Sequence, residues 1–239
     1  MQYSGGKARQ SKGIVRVLEK HRDGRGYLEP FLGVASVLSR MAGKRIGSDV
    51  NHEIISLLVA IRDGWIPPKV VTREDYERYR DNPEVGEPHL RAFISYGCSS
   101  GGRRWGGYAW NRRGDDFVRN ARNSLLKMRD SLQGVELVVR DYREWEPRGM
   151  LVYCDPPYAN MSGLVGEERF NVVEFWDIVR LWAKHNEVFV TERLHPVIGV
   201  EIADVQERQI ITNTSPESRK KVFSEKLCRV LPCRIEQIA

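Results

Sequence analysis

The chain has 239 residues, enough for one sizeable domain with a smaller insert, and its 41% hydrophobic and 29% charged residues exclude intrinsic disorder. No apolar stretch approaches the ~20 residues needed to cross a bilayer, and the first residues lack the apolar run of a signal peptide, so we expect a cytoplasmic protein. The net charge of +6 suits a polyanionic partner without identifying one.

The first part of the chain is predicted to alternate between strands and helices. Residues 26–31 read as a short strand that ends in a turn, with a helix from about Ser36. A second strand follows over residues 44–49, and a second helix over residues 51–62. That helix places four apolar residues on one face: Ile54, Ile55, Leu58 and Ile61. This order is typical of the opening of a parallel α/β sheet.

The middle of the chain breaks this alternation. Residues 66–114 contain two adjacent prolines, a charged stretch and a glycine-rich run, which indicate a lobe rather than sheet. Residues 115–132 then predict a helix with an apolar stripe: Phe117, Ala121, Leu125, Met128 and Leu132. We therefore predict an inserted lobe over residues 66–132, within a main domain formed by residues 1–65 and 133–239.

The alternation resumes in the last part of the chain. Strands are predicted at residues 135–139, 150–154 and 187–191, with a helix capped by Asn171 between the last two. Two further strand candidates in the tail are residues 208–212 and 227–231. The predicted fold class is α/β, a Rossmann-like and mainly parallel sheet interrupted by a mainly helical lobe.

One tetrapeptide carries the sharpest chemical signal. Asp155-Pro156-Pro157-Tyr158 directly follows an apolar strand, so its carboxylate and ring lie at the carboxyl end of the sheet, where open α/β sheets bind ligands. The two prolines fix φ and stiffen the loop. The preceding Cys154 points the other way on an alternating strand and is interpreted as core. By itself the tetrapeptide could also be a rigid turn.

This tetrapeptide suits methyl transfer to an aromatic amine. The lone pair of adenine N6 is delocalised into the ring, and two acceptors on its N–H groups localise that lone pair as the nitrogen becomes tetrahedral. The carboxylate of Asp155 and the carbonyl of Pro156 are two such acceptors, and negative charge stabilises the positive charge that develops. Tyr158 offers a face on which an extruded base could stack. No covalent nucleophile is required.

Two weaker segments suit a nucleotide-like cofactor. In residues 29–36, Gly33 relieves the turn after the first strand and lets a ligand approach the backbone. Asp49, at the end of the second strand, could accept from both hydroxyls of a ribose. A glycine turn is common in α/β proteins, and Asp49 could equally cap the following helix.

Together these segments resemble the Dam-like N6-adenine DNA methyltransferases, in the family's order over nearly the whole chain. Residues 3–7 are similar to the aromatic-x-Gly-Gly-Lys segment, residues 29–36 to Glu-Pro-Phe-x-Gly, residues 48–51 to the acidic end of the second strand, and residues 155–158 to the catalytic tetrapeptide. The resemblance implies S-adenosylmethionine as cofactor. It also implies a set of cofactor-binding residues: Tyr3, Gly6, Lys7, Glu29, Phe31, Gly33, Asp49, Asp141 and Asp155.

The chain departs from the family pattern at three places. Ala35 stands where many relatives have a second glycine, which could narrow the approach of the cofactor. The strand after the helix that follows the tetrapeptide ends in Thr191-Glu192 rather than Ser-Asn. Residues 96–108 look like a glycine-rich replacement within the recognition region. We therefore transfer no target sequence to this chain.

The lobe contains a basic, aromatic stretch that predicts contact with nucleic acid. Arginines grip phosphates and aromatic rings stack on bases, so a run that mixes both is suited to DNA. The candidate residues are Arg103, Arg104, Trp105, Tyr108, Asn111, Arg112 and Arg113, with Trp110 among them. The alternative is a solvated loop whose aromatic rings pack into the core.

The sequence thus predicts an enzyme that transfers a methyl group from S-adenosylmethionine to N6 of a flipped-out adenine in a specific double-stranded DNA sequence. Methylation of another exocyclic amine or of RNA, and a catalytically inactive DNA-binding relative, remain open alternatives. Because the four cysteines form no CxxC pair and only five His are present, no metal is expected. We also expect no membrane partner and a monomer in solution.

Overall fold

A computed structural model describes residues 1–3, 5–157, 170–192, 199–210 and 221–232. Within the last two ranges, the backbone alone is described for residues 204–210 and 221–224. Tyr158, the last residue of the predicted tetrapeptide, lies outside the described residues. None of the helices within the described ranges is long and apolar enough to span a membrane.

The described strands form one mixed sheet in the order β3-β2-β1-β4-β5-β7-β6. Strands β1 to β5 run parallel, and β7 pairs antiparallel with both β5 and β6. The bounds are β1 (Gly26–Glu29), β2 (Arg45–Asp49), β3 (Val135–Val139), β4 (Met150–Cys154), β5 (Glu187–Glu192), β6 (Val200–Ile210) and β7 (Lys221–Val230). This is the predicted Rossmann-like sheet, closed at one edge by an antiparallel hairpin.

The helices lie before, between and after these strands. They are α1 (Ser11–Lys20), α2 (His52–Arg62), α3 (Arg73–Asp81), α4 (Pro88–Ala92), α5 (Phe117–Met128) and α6 (Val172–Trp182). A π-helical turn, Phe93–Gly97, continues α4, and 3-10 turns occupy Leu38–Arg40, Ser100–Gly102, Asp130–Leu132 and Tyr142–Glu144. Between β2 and β3 the chain is therefore helical, as predicted for the insert.

Asparagine caps fix where two of these helices begin. The Asn51 side chain accepts from the backbone N–H groups of Glu53 and Ile54 at 3.1 and 3.3 Å. Asn171 likewise accepts from the N–H of Glu174 at 3.2 Å. These bonds satisfy N–H groups that have no partner inside the helix. The predicted cap at Asn171 is confirmed, and the cap of α2 is Asn51, two residues after Asp49.

The predicted helix from about Ser36 is wrong. Only the 3-10 turn Leu38–Arg40 forms there. Gly33, Ala35 and Gly43 adopt positive φ values of 47°, 55° and 66°, which interrupt a right-handed helix on both sides of the turn. Ala35 thus has the left-handed backbone that favours glycine, which explains the glycine found in relatives. The pattern also missed α1 and underestimated the lengths of β6 and β7.

Both faces of the sheet are covered by apolar side chains. Alternate residues of β4 divide between two buried clusters: Leu151 and Tyr153 pack with α1, α2 and the helices of the insert, whereas Val152 and Cys154 pack with α6. Burial on both faces explains why β4, Met-Leu-Val-Tyr-Cys, reads as a continuous apolar run. Cys154 is fully buried, which confirms its interpretation as core.

The connectivity brings distant residues to one edge of the sheet. Because β1 pairs with β2 on one side and with β4 on the other, the strand order reverses between β1 and β4. Ligands bind at such a switch point, beyond the carboxyl ends of the strands. Glu29 ends β1, Asp49 ends β2 and Asp155 follows β4, so all three predicted carboxylates lie at this edge.

The N-terminal segment is held against the glycine-rich part of the insert. A Cβ atom added to Gly102 would lie 2.5 Å from the backbone carbon of Gln2 and 2.6 Å from the backbone nitrogen of Tyr3. Real atoms do not approach so closely, so only glycine permits this contact. The neighbouring Gly101 has the same φ of 66°, but its Cβ would meet only the Arg103 side chain at 3.8 Å.

This pair of glycines gives a matched test of the close approach. We expect Gly102→Ala to displace residues 2 and 3, and to lower the free energy of unfolding by more than Gly101→Ala. Both variants carry the same left-handed strain of about 1–2 kcal/mol, so their difference in urea unfolding measures the contact. Equal losses in the two variants would show that the N-terminal segment does not depend on Gly102.

Candidate cofactor and active site

A buried lysine joins the N-terminal segment to the carboxyl end of β4. The Lys7 ammonium lies 2.6 Å from Asp155 Oδ1, and the two side chains are 3% and 17% exposed. A third group, Glu225 on β7, is fully buried, with its Oε2 3.8 Å from the same ammonium. Gln10 at the start of α1 donates to that Oε2 at 2.9 Å. One cation therefore lies between two carboxylates at the edge where a ligand is expected.

The residues after Asp155 stay close to the sheet. Pro156 is buried and Pro157 is exposed, so the chain reaches the protein surface within two residues of Asp155. Asp155 itself keeps part of its surface accessible, unlike Lys7 and Glu225. The carboxylate thus lies at the boundary between the core and the ligand side, which is where an acceptor for a bound amine must lie.

Glu29 is buried at the end of β1 and holds its proton unusually strongly. Burial raises its pKa to about 8, and the negative charges of Asp155 and Asp49 act in the same direction. The hydroxyl of Tyr27 donates to Glu29 Oε2 at 2.7 Å, and this bond opposes the rise. Near pH 7 Glu29 is therefore mostly neutral, and Asp155 and Asp49 supply negative charge at this edge.

Asp49 organises the backbone at the end of β2. Its Oδ2 accepts from the N–H of Gly33 at 2.8 Å, and its Oδ1 accepts from the N–H of Asn51 at 2.9 Å. The first bond joins the β1 turn to β2, and the second leads into the cap of α2. A carboxylate at the end of the second strand is the kind of group that accepts from ribose hydroxyls in nucleotide-binding α/β folds.

Tyr3 forms a wall over the glycine turn. A Cβ atom on Gly33 would lie 3.0 Å from Tyr3 Cε1, and the Tyr3 ring lies 5.1 Å from that of Tyr96, between centroids. The N–H of Gly6 donates to the Tyr3 carbonyl at 2.9 Å, which closes the turn that leads to Lys7. Tyr96 in turn accepts from the Asn51 side chain at 2.8 Å. The insert and the N-terminal segment therefore meet beside Asp49.

Phe31 and Asp141 lie on the other side of the β1 turn. Phe31 belongs to an aromatic cluster with centroid distances of 5.0 to 6.0 Å: Phe31, Tyr142, Phe170 and Phe175. Asp141 follows β3, and both of its oxygens accept from the Arg143 guanidinium at 2.9 Å. This bond lowers the pKa of Asp141 and keeps it ionised. The cluster and the carboxylate are suited to the rim of a nucleoside pocket.

The predicted DNA-binding residues divide into two groups. Arg103, Arg112 and Arg113 are exposed, and Trp110 is 70% exposed. Asn111 fixes their loop, since its side-chain oxygen accepts from the N–H groups of Arg113 and Asp115 at 3.1 and 3.2 Å. These side chains present a basic, aromatic surface that does not contribute to the core.

The side chains of the second group pack partly within the insert itself. Trp105 and Tyr108 are half-buried around the Tyr76 ring, with centroid distances of 5.3 and 5.8 Å. The hydroxyl of Tyr108 donates to the Val71 carbonyl at 2.8 Å. These two rings therefore agree with the alternative interpretation of this stretch, in which its aromatic rings pack into the core. Contact with DNA stays a prediction for all seven candidate residues.

Arg104 belongs to the interface between the insert and α2. Its guanidinium donates to Glu53 Oε1 at 3.1 Å, and Arg91 approaches the same oxygen at 3.4 Å. Glu53 is buried in the first turn of α2, immediately after the Asn51 cap. Among the described residues, Glu53 Oε2 has no hydrogen-bond partner. The Arg104 side chain is still 43% exposed, so part of it remains accessible to a ligand.

Sequence reasoning missed Glu225, Gln10 and Glu53. Glu225 and Leu227 are both buried and point to the same face of β7, so a charged residue at an inward position of an alternating strand was the available signal. Gln10 precedes a helix that was itself missed. Glu53 stands in the first turn of a recognised helix, where an acidic residue is usually explained by the helix dipole.

The residues at this edge fit S-adenosylmethionine. Asp49 lies where a carboxylate can accept from a ribose, the aromatic cluster borders the β1 turn, and Asp155 and Asp49 give negative charge suited to a sulfonium. Within the described ranges, no group of three His, Cys, Asp or Glu side chains could hold a metal ion. The sheet and the residues at its edge therefore suit a Rossmann-like methyltransferase that uses S-adenosylmethionine.

A comparison with protein families matches the first part of the chain. Residues 3–89 match the model of the D12 class N6 adenine-specific DNA methyltransferases. Over these residues the match supports the Dam-like adenine methyltransferase family that the motifs predicted. The matched segment contains the Tyr3–Lys7 turn, the β1 turn, Asp49 and the first part of the insert. The tetrapeptide at residues 155–158 lies beyond it.

Solved structures with a similar chain path are distant in sequence. A protein from Pyrococcus horikoshii whose description suggests an RNA methyltransferase is 8% identical, with 92% of this chain and 83% of that one covered and a TM-score of 0.42. The magnesium protoporphyrin IX methyltransferase of Synechocystis with bound SAM is 8% identical, with coverages of 95% and 79% and a TM-score of 0.42. No curated protein matches the sequence.

The protonation of Glu29 makes stability depend on pH. In an unfolded chain this carboxyl releases its proton near 4.5, whereas in the folded protein it does so near 8. Between these values the folded state holds more protons, so the free energy of unfolding falls as pH rises. We expect Glu29→Gln to remove up to about 1.4 kcal/mol of this decline per pH unit, measured by urea unfolding at pH 5.5, 6.5 and 7.5.

Glu187→Gln serves as the control for that measurement. The Arg229 guanidinium lowers the pKa of Glu187, so Glu187 is ionised in both states over the same window. We expect its substitution to shift stability by a constant amount. A constant difference between wild type and Glu29→Gln would contradict the assignment of a neutral Glu29.

Proposed function

We propose that the protein methylates N6 of an adenine flipped out of a specific double-stranded DNA sequence. The observation that carries the proposal is the Lys7–Asp155 ion pair at the carboxyl end of β4. It holds a partly accessible carboxylate at the switch point of the sheet, next to residues suited to the cofactor. The family match supports adenine in DNA as the substrate.

Asp155 acts as an acceptor for the target amine. Its Oδ1 lies 2.6 Å from the Lys7 ammonium, and the same carboxylate is proposed to accept from an N6–H group of the target base. The Pro156 carbonyl is the second acceptor. Two acceptors would localise the nitrogen lone pair as the nitrogen becomes tetrahedral, and the negative charge would stabilise the positive charge that develops. As the nitrogen–carbon bond forms, the bond between sulfur and the methyl group would break to leave a neutral thioether, and the surplus N6 proton would pass to solvent.

The cofactor is held by residues on both sides of the β1 turn. Asp49 would accept from the ribose hydroxyls, and Phe31 and Asp141 would border the adenine end. The residues that would line the site toward β4 are Tyr3, Gly6, Lys7, Glu29 and Gly33. When bound, S-adenosylmethionine would supply an electrophilic methyl group. The protein contributes alignment, exclusion of water and charge rather than a covalent nucleophile.

The target base must leave the duplex, because N6 lies in a base pair and cannot reach Asp155 from within the stack. Tyr158 is proposed to stack on the extruded adenine. The exposed residues Arg103, Arg112 and Arg113 grip phosphates, and Trp110 offers a ring beside them. The insert over residues 66–132 is therefore the proposed recognition lobe. We also propose that the protein acts in the cytoplasm as a monomer.

Substitution of Asp155 tests the chemistry. We expect Asp155→Asn to lower the rate of methyl transfer about 10²–10³-fold, because the anionic acceptor is removed while the shape is kept. DNA affinity should stay within about threefold of wild type, since DNA is bound mainly through phosphates. The assay follows radiolabelled methyl from S-adenosylmethionine into DNA, with nucleosides identified by mass spectrometry.

Two outcomes would contradict the proposal. Full activity of Asp155→Asn would remove the carboxylate from the mechanism. A product other than N6-methyladenine from wild-type protein, or label in RNA alone, would assign the same site to another amine. Absence of label together with absence of cofactor binding in calorimetry would favour an inactive DNA-binding relative.

A second test concerns the basic loop of the insert. We expect the double variant Arg112→Ala/Arg113→Ala to weaken DNA binding, and to reduce the slope of log Kd against log salt by about 0.9 for each phosphate that the protein no longer neutralises. Arg148→Ala is the control, since this exposed arginine lies just before β4, at the amino end of the strands. Equal effects at both places would indicate non-specific attraction only.

A further inference from the structure

The Lys7 ammonium is shared between two carboxylates that come from different parts of the sheet. Asp155 follows a parallel strand, whereas Glu225 comes from the antiparallel strand β7. Glu225 is completely buried. Its Oε2 accepts a hydrogen bond from the Gln10 side chain at 2.9 Å and lies 3.8 Å from the Lys7 ammonium. A buried anion with this placement requires a functional or structural reason.

Electrostatics provides a functional reason for the placement of Glu225. With Asp155 and Glu225 both ionised, these two carboxylates and the Lys7 ammonium together sum to one negative charge. Without Glu225, the ion pair between Lys7 and Asp155 would be neutral. In a site removed from water, such a change acts strongly on a nearby cation.

We propose that Glu225 is a positioning residue for methyl transfer, because it shares Lys7 with Asp155 and so keeps the site anionic toward the cofactor's sulfonium and the methylated amine. Glu225 touches neither substrate in this scheme and acts through Lys7. Gln10 holds it in place from the start of α1. This inference rests on the proposed function, in which Asp155 faces the transferred methyl group.

Two ligands that differ in one charge test the proposal directly. S-adenosylmethionine carries the sulfonium, whereas S-adenosylhomocysteine lacks the methyl group and has a neutral sulfur. We expect Glu225→Gln to weaken S-adenosylmethionine binding about three- to tenfold and S-adenosylhomocysteine binding less than twofold, both measured by calorimetry. The rate of methyl transfer to DNA should fall about tenfold.

Matched variants separate charge from packing. Gln10→Ala removes a hydrogen bond to Glu225 but leaves the charge, so the ratio of the two affinities should stay within twofold of wild type. Glu187→Gln removes a carboxylate that is paired with Arg229 at the amino end of β5, so it should also leave the ratio of the two affinities unchanged. Glu225→Asp, which keeps the charge, should restore most of the ratio.

If Glu225→Gln weakens the binding of both ligands equally, or of neither, the ratio of the two affinities is unchanged. That result would overturn the proposal, because it would indicate a purely structural role. If circular dichroism shows that Glu225→Gln does not fold, Lys7→Met tests the same balance with opposite sign, and a ratio that does not rise overturns the proposal. The proposed function fails separately, if wild-type protein binds neither ligand and methylates no DNA.

Discussion

The buried contact between Lys7 and Asp155 is the constraint on which the site depends. A lysine that is 3% exposed loses its hydration, and a carboxylate at 2.6 Å must compensate for that loss. The contact fixes the N-terminal segment against the end of β4, and the same segment holds Tyr3 over Gly33. Lys7 therefore links the two halves of the sheet across the switch point, before any ligand is bound.

The insert is joined to this arrangement through the start of α2. Asn51 caps the helix, donates its backbone N–H to Asp49 and donates its side-chain amide to Tyr96 of the insert. Two residues later, Glu53 accepts hydrogen bonds from Arg104 and Arg91 of the insert. The segment that would contact DNA and the carboxylate that would contact the ribose are thus connected by one short run of residues, so a shift of the insert would be felt at Asp49.

Sequence patterns were sufficient for the five parallel strands and for Glu29, Asp49 and Asp155 at their carboxyl ends. The alternation of strands and helices and the cap at Asn171 are local signals, and Asp155 follows a strand whose end must lie at that edge. The helix after Ser36 failed because positive φ at Ala35 depends on the packing of the β1 turn. The inward position of Glu225 could be read from its strand, but its proximity to Lys7 could not, because that proximity arises from pairing between strands distant in sequence.

The carboxylates at this edge have different protonation states because their surroundings differ. Glu29 is fully buried and bonded by a neutral tyrosine, so its pKa rises to about 8 and it stays mostly uncharged near pH 7. Asp49 accepts from two backbone N–H groups, and Asp155 lies 2.6 Å from the Lys7 ammonium; both contacts stabilise a negatively charged carboxylate. Glu29 is thus a neutral acid in the core, whereas Asp49 and Asp155 lie toward the proposed ligand side. A cationic methyl donor is suited to that division, since negative charge is concentrated where the sulfonium would lie and absent where it would only destabilise the sheet.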